Sequence, residues 1–163
     1  CSSDLTRTSP EEIEPSPVSQ GLALLHRLVP NTPVACAAVR PVQLRDLNGR
    51  SQPLETLSGR RVAALAGIAR PDAFCRTLRD LGAAIACVFA LPDHHAYPPG
   101  VTGRFLARTE AEGIPLVTTE KDAVKLAEQV AGPDRERIWV LGIELDIWKG
   151  GEALFSRVRE ALA

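Results

Sequence analysis

The sequence predicts an α/β fold: a mostly parallel sheet with helices on both faces, a Rossmann-like three-layer lobe. Two observations carry that expectation. From residue 61 onward, short apolar runs alternate with amphipathic helical stretches, which is the pattern of right-handed βαβ units. The chain also has 163 residues, 45% of them hydrophobic and 24% charged, enough for one ordinary buried core. A polar tail over residues 1–17 and a single α/β domain over 18–163 are expected.

Each element has its own local reason. Residues 1–17 are polar and carry Pro10, Pro15 and Pro17, so they read as a loop or frayed end. "VSQGLALLHRLVP" reads as a short helix with Leu22, Leu25 and Val29 on one face, closed by Pro30. "PVACAAV" (33–39) reads as a buried strand, and Asn48-Gly49 as the turn of a hairpin or an irregular excursion. "RVAALAGI" is a strand. In "ARPDAFCRTLRDLG", Pro71 suits the first helical position, Phe74, Leu78 and Leu81 form a stripe, and Gly82 stops the helix. "AAIACVFAL" is expected as a buried strand, "VTGRFLARTEAEG" as a helix and "IPLVTT" as a strand. "EKDAVKLAEQVAG" is a helix striped by Ala123, Leu126, Ala127 and Val130. "RIWVLGIEL" is the last strand, and "GEALFSRVREALA" a helix striped by Leu154, Val158 and Leu162.

Composition excludes some functions. With 19 Lys and Arg against 20 Asp and Glu, the chain lacks the basic excess that neutralises phosphates, so no nucleic-acid partner is expected. Its longest apolar run falls far short of the ~20 residues of a spanning helix. The four cysteines, Cys1, Cys36, Cys75 and Cys87, match no zinc spacing and read as apolar fillers of a reducing compartment. There is no methionine, which implies a processed or truncated chain. "CSSD" fits the lipidated cysteine of a bacterial lipoprotein or a translated adaptor, and the abrupt change to domain-like sequence favours a truncated fragment.

In open α/β sheets, ligands sit beyond the carboxyl ends of the strands. Three successive strand ends carry unusual loops: "GIARP" (67–71), "LPDHH" (91–95) and "TTEKD" (118–122). Gly67 permits close backbone approach, and Arg70 adds charge at a helix start that could receive an anion. There is no GxGxxG and no G-x-x-x-x-G-K-[ST] loop, so any nucleotide cradle lies elsewhere. Thr119 and Asp122 form a capping-box-like helix start, and Lys121 and Lys125 share a face. The functional alternative is that this turn meets a polar ligand or a neighbouring domain. Neighbouring side chains of an extended segment point apart, so His94 and His95 are poor joint metal ligands, and His26 is distant. No metal site is expected. Asp93 and His94 suit acid–base or orienting chemistry, whereas the bland reading is a solvated loop.

Together, "ALAGIARPDAFCRTLRDLGA", "ALPDHHAY" and "LVTTEKDAVKL" resemble the C-terminal half of tetraacyldisaccharide 4'-kinase, the lipid A 4'-kinase family of Gram-negative bacteria. The resemblance covers about residues 34–163. It implies a kinase of two lobes, using ATP and Mg²⁺ held mainly by an N-terminal lobe that carries a P-loop and a membrane-associating segment. The substrate it implies is the lipid A disaccharide precursor, phosphorylated at the cytoplasmic face of the inner membrane by a peripherally bound enzyme. Asp93 and His94 match the family's Asp-His pair, the histidine of which pairs with a catalytic Asp of the other lobe. His95 lies outside the fixed motif. Gly67, Arg70, Pro71, Thr119, Glu120, Lys121 and Asp122 match at the level of cleft-lining motifs. No P-loop is present, so this fragment is expected to be inactive alone. The rivals are a DHH-type metal-dependent phosphoesterase and a non-enzymatic lipoprotein domain anchored through Cys1.

Overall fold

The computed structural model describes residues 17–91, 97 and 99–162. In chain order the elements are α1 (Pro17–Leu28), β1 (Cys36–Asp46), β2 (Ser51–Gln52), a 3₁₀ turn (Leu54–Leu57), β3 (Arg61–Ala66) and α2 (Pro71–Asp80). There follow β4 (Ala84–Ala90), α3 (Pro99–Glu112), β5 (Leu116–Thr119), α4 (Glu120–Ala127), α5 (Asp134–Arg137), β6 (Ile138–Lys149) and α6 (Gly151–Leu162). The sequence reading takes 18–163 as one domain. Packing groups the residues into two compact units, Val39–Leu145 and a smaller one built from the chain up to Ala38 and from Asp146 onward. In the smaller unit, α1 exposes Leu24, Leu25 and Leu28, and the stripe of α6 (Leu154, Val158, Leu162) is also exposed.

The larger unit carries the expected α/β sheet. Strand order is β2-β1-β6-β5-β3-β4, and β4, β3, β5 and β6 are mutually parallel. β1 pairs antiparallel with β2 through Leu44↔Gln52 and Arg45↔Ser51, so Asn48-Gly49 is the turn of a hairpin. β1 also runs against β6: Leu47 meets Ile138, Gln43 meets Gly142 and Arg40 meets Glu144 in opposite order along the two strands.

Connection handedness explains the layers. The β3–α2–β4 crossover moves outward across the sheet, whereas β4–α3–β5 turns back past β3 and β5–α4–β6 continues in that new direction. Right-handed crossovers running in opposite directions place their helices on opposite faces. Accordingly Phe74, Cys75 and Leu78 of α2 pack with Val62, Ala64, Val117 and Leu141. On the other face, Ala123 and Leu126 of α4 pack with Ala63, Leu65, Leu116 and Val140, with Phe105 and Leu106 of α3 against them. Phe89 of β4 stacks on Phe105, ring centroids 4.3 Å apart.

Several elements differ from the sequence expectation. The apolar runs at 33–39 and 83–91 are not buried strands. β1 starts only at Cys36 and is largely exposed as far as Gln43, and β4 alternates exposed and half-buried residues because it closes the sheet with one neighbour. Apolarity alone does not tell an edge from a centre. α4 ends at Ala127, earlier than its stripe suggests. Arg135, in the unforeseen helix α5, supplies the reason. Its guanidinium donates to the carbonyls of Ala127 (3.0 Å), Val130 (2.9 Å) and Leu47 (2.7 Å), and to Asn48 Oδ1 (2.9 Å). One side chain thus satisfies the end of α4 and ties it to the β1–β2 turn.

Candidate functional site

The reversal of winding between β3 and β5 creates a switch point, and ligands of such sheets bind in the crevice outside it. The strands on either side are stitched by the buried Thr118, whose hydroxyl donates to the Leu65 carbonyl at 3.0 Å. Beyond their carboxyl ends, GIARP and TTEKD meet. Asp122 is fully buried, and its Oδ2 accepts the Gly67 amide at 2.9 Å and the Thr119 hydroxyl at 2.8 Å. The Asp122 amide in turn donates to Thr119 Oγ1 at 3.2 Å. The capping-box-like start therefore exists as an N-cap. The carboxylate bonds the cap hydroxyl and also reaches the neighbouring strand end.

The third loop enters through its flanks. Asp93, His94 and His95 lie outside the described residues. On one side the Leu91 amide donates to the Ala66 carbonyl at 3.0 Å. On the other, Tyr97 is buried at 2% exposure, with Lys125 Nζ 5.2 Å from its ring centroid and its carbonyl accepting from Gln129. Gln129 also accepts from Thr102 of α3 at 2.9 Å. The Tyr97 hydroxyl and Asp122 Oδ1 are both buried without a hydrogen-bond partner. A Cβ placed on Gly67 would stand 2.8 Å from that hydroxyl and 2.9 Å from Oδ1. Gly67 is thus required by this close approach. Tyr97 is the residue that sequence reasoning passed over. Its signal was present, since it is the chain's sole tyrosine and an aromatic with one polar end suits the seam between core and crevice.

Burial raises the Tyr97 pKa far above the ordinary tyrosine value, and Asp122 adds to this through a hydrogen bond that the phenol can turn to make and through its charge. The sign follows from linkage. Unfolded chains ionise tyrosine from about pH 10, whereas the folded phenol holds its proton. Its contribution to stability is complete below about pH 10 and is lost as pH rises further. Melting temperatures measured from neutral to strongly alkaline pH are expected to fall above about pH 10, and less steeply in Tyr97→Phe. Because the tyrosine is unique, its ultraviolet titration reports the same proton directly. Titration at the ordinary value in the folded protein would refute the buried placement.

Next to this cluster is a cleft of about 420 Å³. Its floor includes Phe74 and Leu141, both buried. Ile68, Ala73, Val39 and Ile143 extend the apolar lining, and the exposed Arg70, Glu120 and Lys121 stand beside Thr119 at the rim. Of the motif-level residues, Arg70, Thr119, Glu120 and Lys121 therefore line a cleft, whereas Gly67 and Asp122 brace it from within. Pro71 opens α2 at its first turn.

The GIARP turn does not present its glycine amide to an anion. A phosphate cradle needs convergent free backbone amides. Here the Gly67 amide is committed to Asp122, Pro71 has none, and the Ala73 amide donates to Arg70 O at 3.1 Å. Among the described residues no group of three or more His, Cys, Asp or Glu could hold a metal ion.

The family model for tetraacyldisaccharide-1-P 4'-kinase matches residues 11–163. A tetraacyldisaccharide 4'-kinase of Methylorubrum extorquens is 56% identical over 106 residues, 65% of this chain and 30% of that protein. One from an Anaeromyxobacter species is 43% identical over 111 residues, 68% of this chain and 29% of the relative. One from Gluconobacter oxydans is 41% identical over 123 residues, 76% and 35%. The chain thus spans about a third of the length of these relatives. The solved structure of LpxK from Aquifex aeolicus in complex with ATP shares the fold, with a TM-score of 0.50 at 20% identity, over 82% of this chain and 40% of that one. With its matched span covering nearly the whole sequence, the chain belongs to the tetraacyldisaccharide-1-P 4'-kinase family.

Proposed function

We propose that this chain is the C-terminal lobe of a kinase that transfers phosphate from ATP to the 4'-hydroxyl of the tetraacyldisaccharide 1-phosphate precursor of lipid A. The observation that supports it most directly is the joining of two family motifs by one buried carboxylate, Asp122, at the switch point of the sheet. The third motif is attached there through Leu91 and Tyr97. On this reading ATP and Mg²⁺ are held by the remainder of the longer protein, because the sequence here carries no P-loop. Phosphoryl transfer depends on positioning and on neutralisation of charge, so a lobe without these parts contributes substrate contacts and an acid–base group. Asp93 and His94 are proposed for that role: the carboxylate orients the imidazole, which assists the proton transfer from the attacking hydroxyl.

No described helix is long and apolar enough to cross a membrane. The proposed site of action is the cytoplasmic face of the inner membrane, with peripheral contact made by the rest of the protein. The test is phosphorylation of the tetraacyl disaccharide 1-phosphate from labelled ATP. The intact protein is expected to turn over and the isolated chain to be inactive. In the intact protein His94→Ala should lower kcat by about 10²- to 10⁴-fold, with His95→Ala close to wild type. Equal losses from both histidine changes would remove the assignment to His94.

A further inference from the structure

The cleft beside the motif cluster has an origin in the fold. Among the described residues of the larger unit, α3 and α4 pack on one face of the sheet, and the ten residues of α2 with the short 3₁₀ turn pack on the other. α2 packs against β3 and β4, and its cover runs out over β6. Along β6 the side chains of that face pass from the buried Trp139 and Leu141 to Ile143, which is 49% exposed. Beside it on β1, Val39 is 55% exposed. The core of that face therefore opens into a cleft lined by Ile68, Ala73, Phe74, Leu141, Val39 and Ile143.

The lining is mainly apolar, with its polar groups (Thr77, Thr119, Arg70, Glu120 and Lys121) in the minority. It suits hydrocarbon. At the rim, Arg70 and Lys121 stand with one acidic residue, Glu120. An apolar floor with a net positive rim matches an amphiphile whose chain is buried and whose head is anionic. The family description specifies a substrate with both features, four acyl groups and a 1-phosphate.

We propose that this cleft is an acyl-chain subsite: one fatty-acyl chain of the anionic disaccharide lies along Phe74, Leu141 and Ile143, while Arg70 and Lys121 face its polar head. The inference rests on the kinase reading above and adds to it a location for part of the lipid. The substrate would then be held in part by the lobe that carries the Asp-His loop. The hydrophobic contact would also lie within the protein, leaving the remaining chains for the membrane.

The experiment uses the intact kinase and a series of substrates that differ only in acyl length, together with a fully deacylated, water-soluble disaccharide 1-phosphate. Each methylene removed from a buried chain should raise KM by about fourfold in the wild type. Two variants alter the cleft differently: Ala73→Phe fills it from α2, and Ile143→Asp places a charge at a position 49% exposed. Both are expected to flatten the chain-length dependence and to raise KM for the longest substrate by about tenfold or more. Turnover of the deacylated substrate should be unchanged. An unchanged chain-length slope in both variants overturns the subsite, as does an equal loss on acylated and deacylated substrates. Those results leave the kinase reading standing. Absence of turnover by the wild type on every substrate in the series overturns the kinase reading, and this inference with it.

Discussion

Replacing Asp122 by alanine is expected to destabilise the protein by about 3 kcal/mol, seen as a lower denaturant midpoint with an unchanged m-value. Three consequences combine. The Gly67 amide loses its acceptor, Thr119 loses the partner of its hydroxyl, and the α4 start loses an acidic residue of its first turn. Hydrogen bonds to a carboxylate contribute about 1.5–3 kcal/mol each, and a buried orphan donor costs about 1–3 kcal/mol. Asp122→Asn should cost much less, about 1 kcal/mol. Its amide oxygen can take over the two bonds made by Oδ2, and its NH₂ then faces the Tyr97 hydroxyl. That ordering is the informative result. If asparagine is as damaging as alanine, charge and not hydrogen bonding governs the cluster. The asparagine variant should also lower the Tyr97 pKa part of the way, because the contribution of burial, the largest cause, remains.

Gly67→Ala carries the second large effect, an expected loss of about 1–3 kcal/mol. Its backbone is not in the left-handed region, so the demand for glycine is one of space. The new methyl group would stand 2.8 Å from the Tyr97 hydroxyl and 2.9 Å from Asp122 Oδ1. Neither atom yields freely. Asp122 is held by the Gly67 amide and by Thr119, and the tyrosine is buried with its carbonyl bonded by Gln129. Removing the hydroxyl gives the check. In a Tyr97→Phe background the cost of Gly67→Ala should shrink by about 1 kcal/mol, the coupling of side chains in contact. Additive losses from the two substitutions would show that the methyl group is accommodated by some other movement.

The two substitutions also mark where the sequence was readable. The α/β class, the helix starts at Pro71 and Thr119, the stop at Gly82 and the parallel core were all legible, because each depends on periodicity, capping or turn chemistry within a few residues. The Asn48-Gly49 hairpin was legible for the same reason. Which apolar strands lie at an edge was not. "AAIACVFAL" and "PVACAAV" resemble central strands in composition, and only the strand order shows that β4 has one neighbour and that β1 lies outside the parallel core. The early end of α4 depends on Arg135, a residue from another element and distant from the hairpin it also bonds.

For the candidate site the same division holds. The sequence by itself determined the fold class, the alternation that brings successive strand ends to one side of the sheet, and the family to which its motifs belong. Those are local signals repeated along the chain, and the motif strings survive without knowledge of any contact. What Asp122 does was decided only by tertiary structure. As a string, T-E-K-D is a helix cap; in the fold its carboxylate holds both the hydroxyl of its own cap residue and the amide of a glycine 55 positions earlier. The same holds for Tyr97 and for the cleft over β6. A reversal of winding between β3 and β5 brings these residues together, and such a reversal is a property of strand order, which no local pattern encodes.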